Sequence, residues 1–114
     1  MKKVLTGWLL GLALLAGAEA PKVISLSPAL TELVCHLGRR DLLVGRSDVC
    51  DYPAEVKSVP AVGVFAKPAM ERVAAVGGKL VISDQFQDAS VVKSLQGLGL
   101  EVKQLPLTNL GEYR

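Results

Sequence analysis

The sequence lacks the residue patterns by which most enzymes are recognised. It contains a single histidine, His36, so any serine–histidine arrangement for nucleophilic catalysis would have to include that residue. No Gly-x-Ser-x-Gly elbow occurs, and the pair Gly77-Gly78 precedes an apolar run instead of following one, as a phosphate-binding loop would. We therefore predict that the protein has no catalytic residues and is not an enzyme.

Runs of positive charge are also missing. The formal net charge is +2, and the longest basic cluster is Arg39-Arg40. A surface that binds nucleic acid needs a basic patch or stripe. We therefore expect no nucleic-acid partner.

Long apolar runs are confined to the first residues. Residues 4–16 are apolar except for one threonine and two glycines, follow the basic head Met1-Lys2-Lys3 and precede small residues. The run is shorter than the roughly 20 residues that span a membrane, so we predict a signal peptide at 1–18, cleaved after Ala18 or, alternatively, after Ala20. Ala18 stands where a lipoprotein would carry its lipid-bearing cysteine. The expected product is a soluble periplasmic protein without a lipid anchor or a membrane span.

The sequence has only two cysteines, Cys35 and Cys50. An exported protein can form disulfides, but Cys35 lies inside a predicted helix and Cys50 follows a predicted strand, towards different ends of the layer. Because pairing needs Cα atoms within about 7 Å, we expect two unpaired thiols. His36 points to a different side of the helix from Cys35, so no metal site is expected. Asp48 and Asp51 flank Cys50 and could form a carboxylate pair beside a nucleophile, although an Asp-rich turn is the simpler interpretation.

Apolar spacing indicates alternating strands and helices. Short apolar runs predict strands at 23–26, 42–45, 80–83 and 102–107, and helical spacing predicts helices that begin at Pro28, at Pro68 and after Asp88 or Ser90. Such alternation predicts an α/β fold in which a small parallel sheet carries helices on both faces. The residues expected to face inward are Leu30, Leu33, Val34 and Leu37 in the first helix, Met70, Val73, Ala74 and, as a further candidate, Val76 in the second, and Val91, Val92, Leu95 and Leu98 in the third.

The dipeptide Ser27-Pro28 marks the change from strand spacing to helix spacing. Ser27 suits the position that caps a helix with its side chain, and Pro28 suits the first turn because it has no N–H. In a parallel α/β sheet this junction lies at the carboxyl edge, where ligands bind. Apolar and aromatic residues at the other predicted strand ends form a rim that suits a large, flat ligand, or else they only cover the edge of the sheet. They are Val49, Tyr52, Phe65 and Phe86.

Several motifs follow one another along the chain after residue 21. They are Lys22-Val-Ile-Ser-Leu-Ser-Pro-Ala-Leu-Thr-Glu32, Leu43-Val-Gly-Arg-Ser47, Cys50-Asp-Tyr-Pro53, Met70-Glu-Arg72 and Leu80-Val-Ile-Ser83. In order and spacing they resemble the N-terminal lobe of the periplasmic substrate-binding proteins of ABC importers for cobalamin, haem and iron-siderophores. The Ser-Pro-Ala corner and the Asp-Tyr-Pro turn are most similar to the cobalamin-binding branch.

The resemblance implies specific roles for residues of this chain. It implies a cleft for a corrinoid or an iron chelate, with no resident cofactor, and an ABC permease of the inner membrane as partner. Glu71 matches an acidic residue that docks such a lobe onto the permease. Val49 stands where some members carry tyrosine. The implied cleft residues are Ser27, Pro28, Ala29, Asp48, Val49, Tyr52 and Phe65.

The resemblance also implies a domain organisation. One Rossmann-like lobe is expected at 22–107, followed at 108–114 by the truncated start of a helix between lobes. A single lobe covers only one face of a ligand, so weak or no independent binding is expected. Two alternatives stay open: a small secreted flavodoxin-like enzyme or thiol protein that uses Cys50, and a non-functional remnant.

Overall fold

A computed structural model of the chain describes residues 20–106. The predicted signal peptide at 1–18 and the predicted interlobe helix at 108–114 lie outside the described residues, as does the last residue of the predicted lobe. No helix within 20–106 is long and apolar enough to cross a membrane.

Strands and helices alternate through the described residues, as predicted. The strands are β1 (Val23–Ser25), β2 (Leu43–Arg46), β3 (Gly63–Val64), β4 (Lys67–Pro68), β5 (Leu80–Asp84) and β6 (Glu101–Leu105). The helices are α1 (Pro28–His36), α2 (Met70–Ala75) and α3 (Ala89–Gly97), and short 3-10 helices occupy Arg40–Leu42 and Ala54–Ser58.

Four parallel strands form the main sheet, in the order β2-β1-β5-β6. The chain runs from β1 outward to β2 and then returns to place β5 on the other side of β1. The connections that leave β1 and β5 therefore diverge at the carboxyl edge, which is the topological switch point where open α/β sheets bind ligands. The small strands β3 and β4 form a separate antiparallel hairpin.

Two apolar clusters cover the two faces of the sheet. On β1, Val23 belongs to the cluster under α1, whereas Ile24 belongs to the cluster under α2 and α3. On β5, Leu80 and Ile82 join the first cluster and Val81 joins the second. This alternation follows from the two-residue repeat of a strand, and it confirms the predicted fold class, with helices on both faces.

The ends of the helices differ from the prediction. Helix α1 ends at His36, and Leu37 is 55% exposed because the chain turns at Gly38, whose φ is +76°. Leu98 is exposed for the same reason, since it follows the last residue of α3. Ala74 is also exposed, because α2 is only six residues long and Val73 is the residue that it buries.

Pro68 does not open a helix. It pairs with Gly63 in the hairpin, and α2 begins two residues later at Met70. Proline is compatible with this position because β4 is an edge strand. The N–H that proline lacks would point away from the neighbouring strand, so no hydrogen bond of the sheet is lost.

Candidate ligand-binding site at the carboxyl edge

The connection between β1 and α1 places Ser27 at the switch point. The backbone N–H of Leu26 donates to the carbonyl of Ile82 at 3.0 Å, which ties this corner to β5. Pro28 is the first residue of α1, as predicted. Ser27 occupies the cap position in an extended conformation, and its carbonyl accepts a hydrogen bond from the N–H of Thr31 at 2.9 Å.

The prediction that the Ser27 side chain caps α1 is wrong. Its hydroxyl makes no capping bond, and it is the one buried side-chain polar atom without a partner among the described residues. The neighbouring hydroxyls pair without it, since Thr31 donates to Oγ of Ser25 at 2.8 Å and Ser25 donates to the carbonyl of Ser27. An unpaired hydroxyl therefore lies at the start of α1, beside the diverging connections.

The loop after β2 carries Asp48, Val49 and Tyr52, and Arg46 holds it in shape. The Arg46 guanidinium donates to the carbonyls of Val59 at 2.8 Å and Cys50 at 3.1 Å. It also donates to the carbonyls of Ser47 and Lys57, both at 3.4 Å. Because one side chain satisfies acceptors along more than ten residues of loop, the path of this segment depends on Arg46. The peptide bond between Tyr52 and Pro53 is cis.

Both thiols are unpaired, as predicted. Cys50 is fully buried, with Sγ 3.1 Å from Oγ of Ser47 and 3.9 Å from the carbonyl of Ser25. A buried thiol with these neutral neighbours is inert as a nucleophile. His36 is exposed, and no group of three metal-ligating side chains occurs within 20–106.

The hairpin of β3 and β4 presents Phe65 at its tip. Gly63 has a φ of +112°, and a Cβ atom there would lie 2.9 Å from the backbone nitrogen of Ala69. Glycine is therefore required for the hairpin to close. The ring of Phe65 is half-buried against the cluster under α2 and α3, so it packs on the domain while part of it stays accessible.

The loop after β5 is tied to the same hairpin. The side-chain amide of Gln87 donates to the carbonyl of Phe65 at 2.7 Å, and its oxygen accepts a bond from Oγ of Ser83 at 2.6 Å. The N–H of Asp48 donates to the carbonyl of Gly63 at 2.8 Å. Hydrogen bonds therefore bring three predicted regions of the cleft together: the loop after β2, the hairpin tip and the loop after β5.

Exposed apolar side chains are concentrated at this edge. Among the described residues, six large apolar side chains are between 43% and 70% exposed. Leu37 and Leu98 follow the ends of α1 and α3, at the opposite edge of the sheet. The other four, Val49, Tyr52, Val64 and Phe86, lie on loops or on the hairpin beyond the carboxyl ends of the strands. We call these four side chains, together with Phe65, the apolar rim.

The remaining predicted site residues lie in the loop after β2 and in the first turns of α1 and α2. Pro28 and Asp48 are exposed, and Ala29 is half-buried in the first turn of α1. Glu71 is exposed in the first turn of α2, as predicted. Beside it, an open groove of about 390 Å³ runs between the starts of α2 and α3, with Lys67, Met70 and Ser90 in its walls.

Two residues that shape the site were not predicted from the sequence. Arg46 was recognised only as part of a motif. An arginine at the end of a buried strand indicates that acceptors lie nearby, because a partly buried charge needs hydrogen-bonding partners. Gln87 gave no signal, because its two partners lie four and twenty-two residues away along the chain.

Comparison with known proteins relates the chain to proteins that are named as binding proteins. No protein-family model matches the chain. The vitamin B12-binding protein of Salmonella choleraesuis is 37% identical over 84 residues, which are 73% of this chain and 31% of that protein. A periplasmic haem-binding protein from Pseudomonas aeruginosa superposes with a TM-score of 0.70 at 30% identity, covering 76% of this chain and 32% of that one. The chain is a homologue of periplasmic ABC-transporter substrate-binding proteins. The resemblance inferred from its motifs is confirmed.

The homologues also bear on the other predictions. An uncharacterised ABC transporter substrate-binding lipoprotein of Bacillus subtilis is 34% identical over 87 residues, which are 74% of this chain and 27% of the lipoprotein. The chain thus spans about a third of the length of these relatives. All three are binding proteins of transport systems, in agreement with the prediction that the chain is not an enzyme. Because one relative is a lipoprotein, the absence of a lipid anchor stays a prediction.

Proposed function

We propose that this protein is the periplasmic solute-binding component of an ABC importer, and that its apolar rim forms one wall of a cleft for a haem-like or corrinoid metal chelate. The observation that carries the proposal is the concentration of exposed apolar side chains at the switch point of the sheet. The homologues named for vitamin B12 and haem support the class of ligand. An iron-siderophore is the other chelate that the resemblance implies.

The rim suits a large conjugated ring. A macrocycle offers a flat apolar face of the kind that aromatic and aliphatic side chains bury well, and Tyr52 and Phe65 supply aromatic surface. Val49 adds apolar surface without a hydrogen-bonding group. Contact with this wall is therefore mainly hydrophobic, with a strength that depends on the area removed from water.

Polar groups at the start of α1 would meet the charged or polar substituents of the chelate. The geometry of a helix leaves the first N–H groups, including that of Ala29, without an intrahelical acceptor. Ser27 lies at the same helix end, but its unpaired hydroxyl is buried, so it shapes this end of the wall and does not itself meet the ligand. A carboxylate or phosphate substituent is favoured at such a helix N-terminus by its partial positive charge. Asp48 would instead accept hydrogen bonds from amide or hydroxyl substituents.

Transport requires a second contact, with an inner-membrane permease. Glu71 is exposed on the first turn of α2 and is not one of the apolar rim residues. We assign it to docking on that permease, as the resemblance implies. Ligand binding and docking would then use separate groups on the same lobe.

Titration by absorbance tests the ligand class. Haemin, cyanocobalamin and ferrichrome are added separately to the purified protein, at concentrations high enough to detect the weak binding expected of one cleft wall. We expect a saturable spectral change with haemin or cyanocobalamin. Tyr52→Ser should weaken it, whereas Leu98→Ser, which removes an exposed apolar side chain from the opposite edge, should leave it unchanged. No spectral change with any of the three chelates would contradict the proposal.

A further inference from the structure

Phe86 is the most exposed large apolar side chain among the described residues. It is 70% exposed, and it comes two residues after β5, all five residues of which are buried. Strand β5 lies next to β1, so the loop that carries Phe86 is one of the two diverging connections at the switch point. Phe86 belongs to the apolar rim, and exposed apolar surface gathered at one edge of a fold marks a site of ligand or partner contact.

The loop holds Phe86 in a defined place. The backbone N–H of Phe86 donates to Oδ1 of the buried Asp84 at 2.9 Å. The side chain of Gln104, on the neighbouring strand β6, donates to the carbonyls of Asp84 at 3.2 Å and Gln87 at 3.3 Å. The backbone on both sides of Phe86 is therefore fixed while its ring stays exposed. A ring presented by a fixed backbone loses little conformational freedom when it binds.

Gln87 connects this loop to the other aromatic residue of the rim. It is buried, and its amide spans from Oγ of Ser83 at 2.6 Å to the carbonyl of Phe65 at 2.7 Å. The side chain of Gln87 therefore links the backbone segment that carries Phe65 to the loop that carries Phe86.

We propose that Phe86 is a specificity-determining ligand contact, with Gln87 as its positioning residue, and that it selects chelates with a flat conjugated face over chelates without one. The proposal rests on the proposed function, because it assigns a selective role to one residue of the apolar rim. Phe86 provides aromatic surface on the β5 side of the switch point, whereas Tyr52 and the loop after β2 provide it on the other side. A macrocycle can contact both, and a compact hydroxamate chelate such as ferrichrome has no equivalent flat face.

Substitution of Phe86 tests the proposal. We expect Phe86→Ser to weaken binding of the macrocycle that the unchanged protein binds by about tenfold, and Phe86→Trp to preserve it. Leu37→Ser is the matched control, because it removes an exposed apolar side chain at the far edge, and it should leave affinity unchanged. Gln87→Met keeps the side-chain length but not the bonds to Phe65 and Ser83, so it should also weaken binding.

A chemical-modification readout separates contact from a structural effect. The only tryptophan of the sequence is Trp8, within the predicted signal peptide, so Phe86→Trp gives the mature protein a single indole, at the rim. Bound macrocycle should protect this indole from the tryptophan-selective reagent 2-hydroxy-5-nitrobenzyl bromide, because protection needs direct contact, whereas the indole of Leu37→Trp should be modified equally with and without ligand.

The outcomes distinguish this proposal from the proposed function. If the unchanged protein binds a macrocycle and Phe86→Ser keeps its affinity within about twofold, the role of Phe86 is overturned while the proposed function stands. The same holds if the indole of Leu37→Trp is protected by ligand as strongly as that of Phe86→Trp. If ferrichrome is the only chelate bound, the role of Phe86 and the proposed ligand class are both overturned. If none of the chelates binds the unchanged protein, both proposals fall together.

Discussion

Gly78 lies so close to Ile24 that it has no room for a side chain. A Cβ atom built on Gly78 would stand 2.8 Å from Cγ1 of Ile24 and 2.9 Å from its Cδ1. Ile24 is fully buried in the central strand β1, so its side chain has no solvent-filled space to turn into. Next to this contact, the N–H of Lys79 donates to the carbonyl of Lys22 at 2.9 Å. The turn before β5 is thus packed directly onto the start of β1.

Gly78→Ala should therefore destabilise the fold. The added methyl group must displace Ile24 or the turn itself, and overpacking of this kind costs about 1–3 kcal/mol. Urea unfolding measures the change in the free energy of unfolding. Gly97→Ala is the matched control, because no atom lies within 4 Å of its Cβ position at the end of α3. That control should be neutral or stabilise by up to about 1 kcal/mol, and equal effects of the two substitutions would contradict the packing argument.

The main sheet could be predicted from the sequence, because short apolar runs in the local sequence mark its strands. Val23–Ser25 and Leu80–Asp84 are buried on both faces, and such strands appear as continuous apolar runs between turn signals. Helix ends were less predictable. Leu37 and Leu98 fit the helical spacing, yet each lies one residue beyond the last residue of its helix and one residue before the glycine at which the backbone turns. Spacing alone carries no information about where a helix ends.

The position of the site was predictable, but the side chains that shape it were not. Ser27 and Phe65 lie near strand ends, so strand order alone brings them to one edge. Arg46 and Gln87 act through backbone carbonyls, which every residue has. Because any carbonyl can accept these bonds, no sequence pattern identifies the partner, and only the folded chain shows which one is in reach.

Ser27→Ala should not destabilise the protein without ligand. Removing a capping hydroxyl ordinarily costs about 0.5–2 kcal/mol, but the hydroxyl of Ser27 makes no capping bond and is buried without a partner. Its loss removes a desolvated group and leaves no other group unpaired. The expected change in the free energy of unfolding is zero or a small gain, measured by urea unfolding.

Thr31→Val is the contrasting variant for the same corner. Valine preserves the shape but removes the donor to Oγ of Ser25, and loss of a buried hydrogen bond costs about 1–2 kcal/mol. If Ser27→Ala costs as much as Thr31→Val, the hydroxyl of Ser27 has a partner after all.

Arg46→Met should loosen the loop that carries Asp48 and Tyr52. The substitution leaves the carbonyls of Val59 and Cys50, among others, without their donor, and we expect a loss of about 1–3 kcal/mol in the free energy of unfolding. Hydrogen exchange should become faster in residues 47–59. Arg72→Met, at an exposed position on α2, controls for the loss of charge, and unchanged exchange in the loop would contradict the anchoring role of Arg46.

The thiol of Cys35 should ionise only at unusually high pH. Burial raises its pKa above the ordinary value of 9.0, the negative charge of Glu55 raises it further, and Arg40 acts in the opposite direction. Because the folded-state pKa lies above the unfolded one, the stability that this thiol contributes is fully present below the unfolded pKa and is lost as the pH rises through the folded pKa.

The rate of iodoacetamide alkylation, measured against pH, reports this ionisation. Cys50 is buried and should react only on unfolding, so the profile belongs to Cys35. Glu55→Gln should move the midpoint to lower pH, whereas Glu71→Gln, which is not among the causes of the shift, should not move it. A midpoint that Glu55→Gln leaves in place would show that its charge does not act on the thiol.

Glu71→Arg should block transport without changing ligand binding. Glu71 is exposed in the first turn of α2 and belongs to neither apolar cluster, so reversing its charge should leave folding intact apart from a helix-dipole contribution of about 0.3–1 kcal/mol. Docking onto cationic residues of a permease would change from attraction to repulsion. Glu101→Arg is the matched control, because Glu101 is also exposed but begins β6, at the opposite edge of the sheet. Uptake of the bound chelate by cells that express the chain with its permease should fall only for Glu71→Arg, since only that charge faces the predicted partner. Equal uptake by the two variants would remove Glu71 from the docking surface.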